Sequence, residues 1–160
     1  MKSVEQYKNI NHTLKSMKGQ IIDSLNYADK VCPPVETPKQ LWDWLKPKLK
    51  FKSDGSYNGQ PRELLQTMQC MFKGEIWGRP YMGDCDCFVI TTIACLIVND
   101  FRDIKIVLTG RNKKTPVHIY CVVYVDKKRI VLDFTNPNYN QERPYPFMQE
   151  VAVPWTKWLI

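Results

Sequence analysis

Residues 81–98 read YMGDCDCFVITTIACLIV, and this stretch decides the fold. From Phe88 onward it is apolar nearly all round, the pattern of a helix covered on every side. The run free of charge, Cys87 to Asn99, is thirteen residues long, well short of the roughly 20 that cross a bilayer. A central buried helix over Cys85–Val98 is therefore expected. Gly83 permits a turn and Asp84 is a good N-cap, so Cys85 falls on the first helical position. A helix N-terminus carries about half a positive charge and several N–H groups without intrahelical partners. Both favour a thiolate, and the same groups suit the oxyanion that forms when a thiolate attacks a carbonyl. Cys87, two residues on, points about 200° away, so only one of the two sulfurs can face a given base.

Outward from that helix the periodicity changes. Ile104–Leu108, Val117–Val125 and Arg129–Phe134 alternate as strands, the last two joined by a tight turn at Asp126-Lys127-Lys128. On the other side, Val4, Tyr7, Ile10, Leu14, Met17, Ile21, Leu25 and Ala28 are spaced by three and four. They predict one amphipathic helix of about 25 residues, weakened at Gly19, off whose stripe His12 falls. It stops before Pro33-Pro34. Its stripe is expected to pack on its own domain, with docking on another chain as the alternative. Thr37-Pro38 opens a short helix through Leu45 with Leu41, Trp42 and Leu45 inward. Lys46, Lys48, Lys50 and Lys52 then alternate along an extended segment, on one face. A solvated strand face is the first reading and a phosphate or nucleic-acid site the second, though no aromatic row interleaves the lysines. The turn-rich SDGSYNG follows. Pro61 is expected to open a helix to Phe72, and Gly74–Gly83 to form an irregular loop. Asn136–Ile160, with four of the eleven prolines, is expected to wrap the surface. Helices first and strands later make an α+β class.

At 160 residues, 44% hydrophobic and 24% charged, the chain is one domain with a core of its own. Within it, 1–32 reads as an N-terminal helical extension, 38–145 as the core and 146–160 as a tail. The composition excludes disorder as the main state. A net charge of +7 favours acidic partners. The opening MKSVEQYKNINHTLKSMKG lacks the apolar core of a secretory signal. A cytoplasmic location at synthesis and reduced thiols are expected for the six cysteines.

A thiol nucleophile needs a base, and the chain has two histidines. His118 opens the second strand, and Asp133 near the end of the third is the natural group to orient it. The two share a face only if paired residue numbers across the hairpin sum to an odd value. A two-residue turn meets this. With Asp126-Lys127 in the turn the residues are diagonal neighbours; with Lys127-Lys128 the offset grows to four. Asn136, Asn138 and Asn140 are rival orienters. Gln66 and Tyr81 are candidates for an oxyanion-binding side chain. Two other readings take the cysteines as small core residues, or take Cys85, Cys87 and His118 as zinc ligands, for which no fourth is obvious. No metal and no cofactor are expected.

GDCDC with its apolar helix, then PVHIYCVVY, then RIVLDFTNP, resembles the transglutaminase-like cysteine-enzyme superfamily. The likeness is strongest to small members from bacteria and their phages with a Gly-Asp-Cys-Asp-Asp segment. It covers about residues 38–145, including WDWLKPKLKFKSD and ELLQT. Cys87 stands where the family has a second aspartate, Phe134 where a proline commonly follows the triad aspartate, and the region of Asp103 lacks a frequent glycine. The resemblance implies a papain-like fold with a Cys85-His118-Asp133 triad. It implies acyl transfer through a thioester on protein or cell-wall peptide substrates, as a peptidase or amidase more than a crosslinking transferase. The short charge-free run and the lack of an aromatic row among the lysines argue against a membrane or nucleic-acid partner. The alternative is a non-catalytic structural component of a phage particle that keeps the fold and docks other phage proteins through its N-terminal helix.

Overall fold

The computed structural model describes residues 10–53, 56–57, 60–61, 64–112 and 116–153. The long first helix, α1, spans Ile10–Val31; the expected start at Val4 lies outside the described residues. Met17, Ile21 and Ala28 are fully buried, with Leu14 and Leu25 packed beside them. They lie against the central helix α4, Cys85–Val98, whose bounds are those its apolar run predicts. Over the described residues the stripe of α1 thus packs on the chain's own core, as its spacing predicts.

Helix α2, Pro38–Leu45, starts from a full capping box. The Thr37 hydroxyl accepts from the Gln40 N–H and the Gln40 side chain accepts from the Thr37 N–H, satisfying two donors at once. Leu41, Trp42 and Leu45 are buried as expected. The lysine segment is not extended throughout. Lys46 to Lys48 continue from α2 as a turn, and only Lys50–Phe51 form a strand, β1. The four lysines therefore do not share one strand face. A small antiparallel pair follows, β2 (Ser56–Tyr57) with β3 (Gln60–Pro61).

The helix expected from Pro61 is much shorter. It is α3, Met68–Lys73, capped by the Thr67 hydroxyl on the Cys70 N–H. Pro61 sits in β3, and the turn chemistry of Thr67 wins over the proline. Within the loop 74–83, Met82–Gly83 forms β4, parallel to β1.

The main sheet is antiparallel with strand order β7-β6-β5-β8. Its members are β5 (Ile104–Gly110), β6 (Pro116–Val125), β7 (Lys128–Leu132) and β8 (Phe147–Ala152). The last is a correction, because the tail after Asn136 does not only wrap the surface but supplies a fourth strand along β5. Pro146 and Pro154 bracket it, which suits an edge strand and hides it in the sequence. The β6–β7 hairpin pairs Val125 with Lys128 and Cys121 with Leu132. Asp126 and Lys127 form its two-residue turn, both with positive φ (51° and 66°), the geometry that follows strand twist. One face of the sheet, with Leu108, Ile119, Cys121, Val123 and Leu132, packs on the helices. The other carries Val107, Tyr120, Val122 and Val131, with Tyr124 and Tyr145 against them.

Candidate active site

Asp84 caps α4, its carboxylate accepting from the Cys87 N–H at 3.4 Å and its carbonyl from the Phe88 N–H at 3.0 Å. Cys85 is the first residue of the helix, in the N-terminal field. Gly83 is required just before it. A Cβ there would lie 2.8 Å from Cys87 Cβ and 2.9 Å from Met71 Sδ. This close packing fixes the angle at which the chain enters the helix.

The six cysteines divide sharply. Cys85 alone is partly exposed, and the other five are buried. Cys87 is turned into the core, its Sγ–H donating to the Leu64 carbonyl at 3.1 Å. Burial pushes the Cys121 thiol far above its ordinary value. Burial also raises Cys95, and its hydrogen bond with Cys32 adds to the rise. Buried neutral thiols of this kind are inert. The Cys85 thiol reaches the Asp86 carboxylate at 3.9 Å and opens onto a shallow surface cleft. Phe88 and Val89 line the helix side of that cleft, and Ile119, Tyr120, Leu132, Asp133, Phe134 and Thr135 the sheet side.

On the sheet side, β7 stops at Leu132, and the chain turns at Asp133 beside the first residues of β6. His118 Nε2 lies 2.7 Å from Asp133 Oδ2. Asp133 is only 4% exposed. Burial works to raise its carboxyl, but the hydrogen bond and charge of His118 and the Thr135 hydroxyl and N–H outweigh it and hold the group below its ordinary value. Those Thr135 donors both reach Oδ1, at 2.7 and 3.1 Å. An ionised carboxylate only accepts. The proton of this contact therefore sits on His118 Nε2, and in the neutral ring Nδ1 keeps its lone pair. An imidazole set this way can take a proton through Nδ1 while the carboxylate steadies the resulting cation.

Two aromatic rings lie beside the imidazole. Tyr120 and Tyr145 lie 5.6 and 6.0 Å from it, tilted by 34° and 35°. Tyr120 is fixed by its hydroxyl on Glu142 at 2.6 Å. Glu142 takes a two-pronged contact from Arg129 (2.7 and 2.9 Å), whose Nε binds Glu150 at 2.8 Å. Burial, then the charges of Asp133 and Cys85, raise Tyr145. Its ring thus belongs to the same electrostatic site.

The remaining sequence candidates sit elsewhere. Gln66 is buried, its amide donating to the Met82 carbonyl at 2.9 Å and to Cys87 at 3.8 Å, on the side of the helix away from the cleft. The Tyr81 ring packs edge-on against Phe72 at 4.8 Å. Neither lines the cleft. Asn136 binds the Gln141 carbonyl and Asn140 the Val131 N–H, so a carboxylate and not an amide meets the imidazole. Among the described residues no group of three or more His, Cys, Asp or Glu is placed to hold a metal ion, and no helix is long and apolar enough to cross a membrane. Sequence reasoning passed over Thr135, Tyr120 and Tyr145. Thr135 had a signal, because a hydroxyl two residues after an aspartate is a local hydrogen-bonding pattern. Tyr120 had one too, two residues from His118 on the same strand face. Tyr145, between two prolines, had none. No family model, curated protein or solved structure matches the chain.

Proposed function

We propose that this protein is a transglutaminase-like, papain-like cysteine enzyme that opens amide or peptide bonds through a thioester on Cys85. The observation that carries this is a cleft lined on one side by the one partly exposed cysteine, at a helix N-terminus, and on the other by Asp133, whose carboxylate lies 2.7 Å from His118. His118 Nδ1 takes the thiol proton, and the thiolate attacks the carbonyl carbon. The C–S bond forms, the C–N bond breaks, and the imidazolium returns its proton to the departing amine. Water then attacks the thioester with the same imidazole as base, releasing the acid and restoring the thiol. The positive end of α4 faces the developing oxyanion. Hydrolysis is favoured over crosslinking because nothing in the sequence marks a specialised amine-acceptor site. Protein segments or cell-wall peptides are the substrates, within a bacterial or phage setting.

The test is thiol reactivity. Iodoacetamide at mildly acidic pH should label Cys85 ahead of the other five cysteines, and Cys85→Ala should abolish the fast label. Uniform slow labelling would instead assign the fold to a binding role in a phage particle. Incubation with wall peptides and denatured proteins, read by mass, then separates the reactions. A gain of one water marks cleavage, and loss of one ammonia on joining two molecules marks crosslinking.

A further inference from the structure

The strand edge next to Cys85 has the features of a peptide seat. The N–H groups of Lys50 and Lys52 donate to the Tyr81 and Gly83 carbonyls of the β4 segment at 2.9 and 2.7 Å. Strand residues alternate in the direction of their backbone groups, so the Phe51 N–H and carbonyl point to the opposite edge. Among the described residues β1 pairs with β4 alone, leaving that edge without a strand. Phe51 is 60% exposed. Its ring stands 6.4 Å from Phe88, a wall of the Cys85 cleft. An exposed aromatic ring, an open backbone edge and a nucleophile two residues past the pairing strand thus lie together.

The charge around this edge is mainly positive. Residues 44–53 hold four lysines and no carboxylate; the acids that bound them in sequence are Asp43, engaged by Lys39 at 2.6 Å, and Asp54. Among the described residues none of the four lysines has a carboxylate within ion-pair distance. Lys46 donates to the Phe134 carbonyl at 2.9 Å, on the rim of the cleft. Burial lowers Lys46, and the charges of Asp133 and Lys50 act on it in opposite directions. Ammonium groups that outnumber the carboxylates beside them gain from a bound carboxylate.

We infer that β1 binds the substrate as an added strand, an extended acidic peptide with one apolar side chain on Phe51 and its carboxylates on Lys50, Lys52 and Lys46. This rests on the thiol-enzyme reading and names the substrate class of that site. Main-chain hydrogen bonds to Phe51 supply affinity, and the alternate side chains supply selection. The shallow cleft fits this arrangement, since it takes the bond to be cut while the rest of the peptide runs over the surface. An open backbone edge favours an extended peptide, which pairs with it through main-chain groups, over a nucleic acid, which has none to offer.

Binding is measured by fluorescence anisotropy with the full chain as Cys85→Ala, so the result does not depend on turnover. The probes are two dye-labelled heptapeptides, one with glutamates flanking a central leucine and its twin with glutamines. The acidic peptide should bind tighter by about fivefold or more at low salt, the scale of a few exposed charge pairs, and lose the advantage as salt rises. Lys50→Gln with Lys52→Gln should erase the difference, and Phe51→Ser should weaken both peptides. All three residues are exposed, and unchanged melting would confirm that the variants fold. Equal binding of the twins, or a difference that survives the lysine changes, overturns the proposal. So does an oligonucleotide of equal charge that displaces the acidic peptide and binds tighter. Loss of selective Cys85 alkylation in the wild-type chain would instead overturn the enzyme reading and leave the anisotropy result standing.

Discussion

Replacing Asp133 with asparagine tests the site through the position of a single proton. The Thr135 hydroxyl and N–H both donate to Oδ1 of Asp133. In Asp133→Asn the amide oxygen is held at that place, because turning the amide over would set its NH2 against two donors. The amide nitrogen then occupies the Oδ2 place, 2.7 Å from His118 Nε2, and donates to it. The imidazole must accept at Nε2 and carry its proton on Nδ1. That tautomer cannot take a proton from Cys85. An unassisted thiol of ordinary acidity is about 1% thiolate at pH 6.5. Alkylation of Cys85 by iodoacetamide should therefore fall by as much as about 100-fold at that pH, and the gap should close toward pH 8.5. Turnover should fall by about 10³- to 10⁴-fold, the known scale of a wrongly set imidazole. Labelling is followed by peptide mass at several pH values. Thr135→Ala added to Asp133→Asn removes one of the two donors holding the amide oxygen and should restore part of the rate. If Asp133→Asn labels within threefold of wild type from pH 6 to 8, the pair does not set the thiol, and the triad reasoning is refuted.

Cys87→Ala should leave the Cys85 labelling rate unchanged while lowering stability by about 1–2 kcal/mol, from a small cavity and the lost hydrogen bond to the Leu64 carbonyl; urea melts and alkylation measure the two effects separately. Gly83→Ala should do both, costing about 1–3 kcal/mol by overpacking against Cys87 and Met71 and slowing Cys85 labelling as the helix entry shifts. Acid should destabilise the fold through Asp133 and Glu142. Burial opposes the low value of Asp133, but His118 and Thr135 prevail; Arg129 is the main cause of the low value of Glu142. Because both folded values lie below the unfolded ones, their stabilisation is complete above about pH 4–5 and drains away as the pH falls through the folded values. Urea melts between pH 6 and 3 should show this loss, and Asp133→Asn should flatten part of the slope.

The parts legible in the sequence were those where one physical constraint dominates. The central helix could be bounded to the residue because nothing but a fully covered helix suits Phe88–Ile97. The His118–Asp133 approach followed from strand parity, which admits few registers. Parts decided by competition were harder to read. Pro61 looked like a helix start, but Thr67, six residues later, supplies the cap. The lysines at 46–52 alternate like a strand, yet the turn after α2 takes the first three residues. Strand β8 is half exposed and bracketed by prolines, so its pattern resembles a loop until β5 is there to pair with it. Gln66 and Tyr81 were plausible by type and position. Their partners, Met82, Cys87 and Phe72, come from long-range packing that spacing does not report.

The Asp126-Lys127 turn has a consequence for how this chain can change over time. His118 is seven residues from Val125, about 23 Å along the strand, yet the turn determines which face it shares with Asp133. One residue inserted at the tip is harmless only if the turn takes it up and Val125 still pairs with Lys128; if the turn stays at two residues the register slips by one and Asp133 is carried to the opposite face. Surface loops ordinarily absorb insertions at little thermodynamic cost. Here the residues at the tip must also accept positive φ, as Asp126 and Lys127 do. Lineages of this hairpin should therefore keep the Val125–Lys128 pairing whatever happens to the tip, a constraint on register imposed by a proton transfer at the far end.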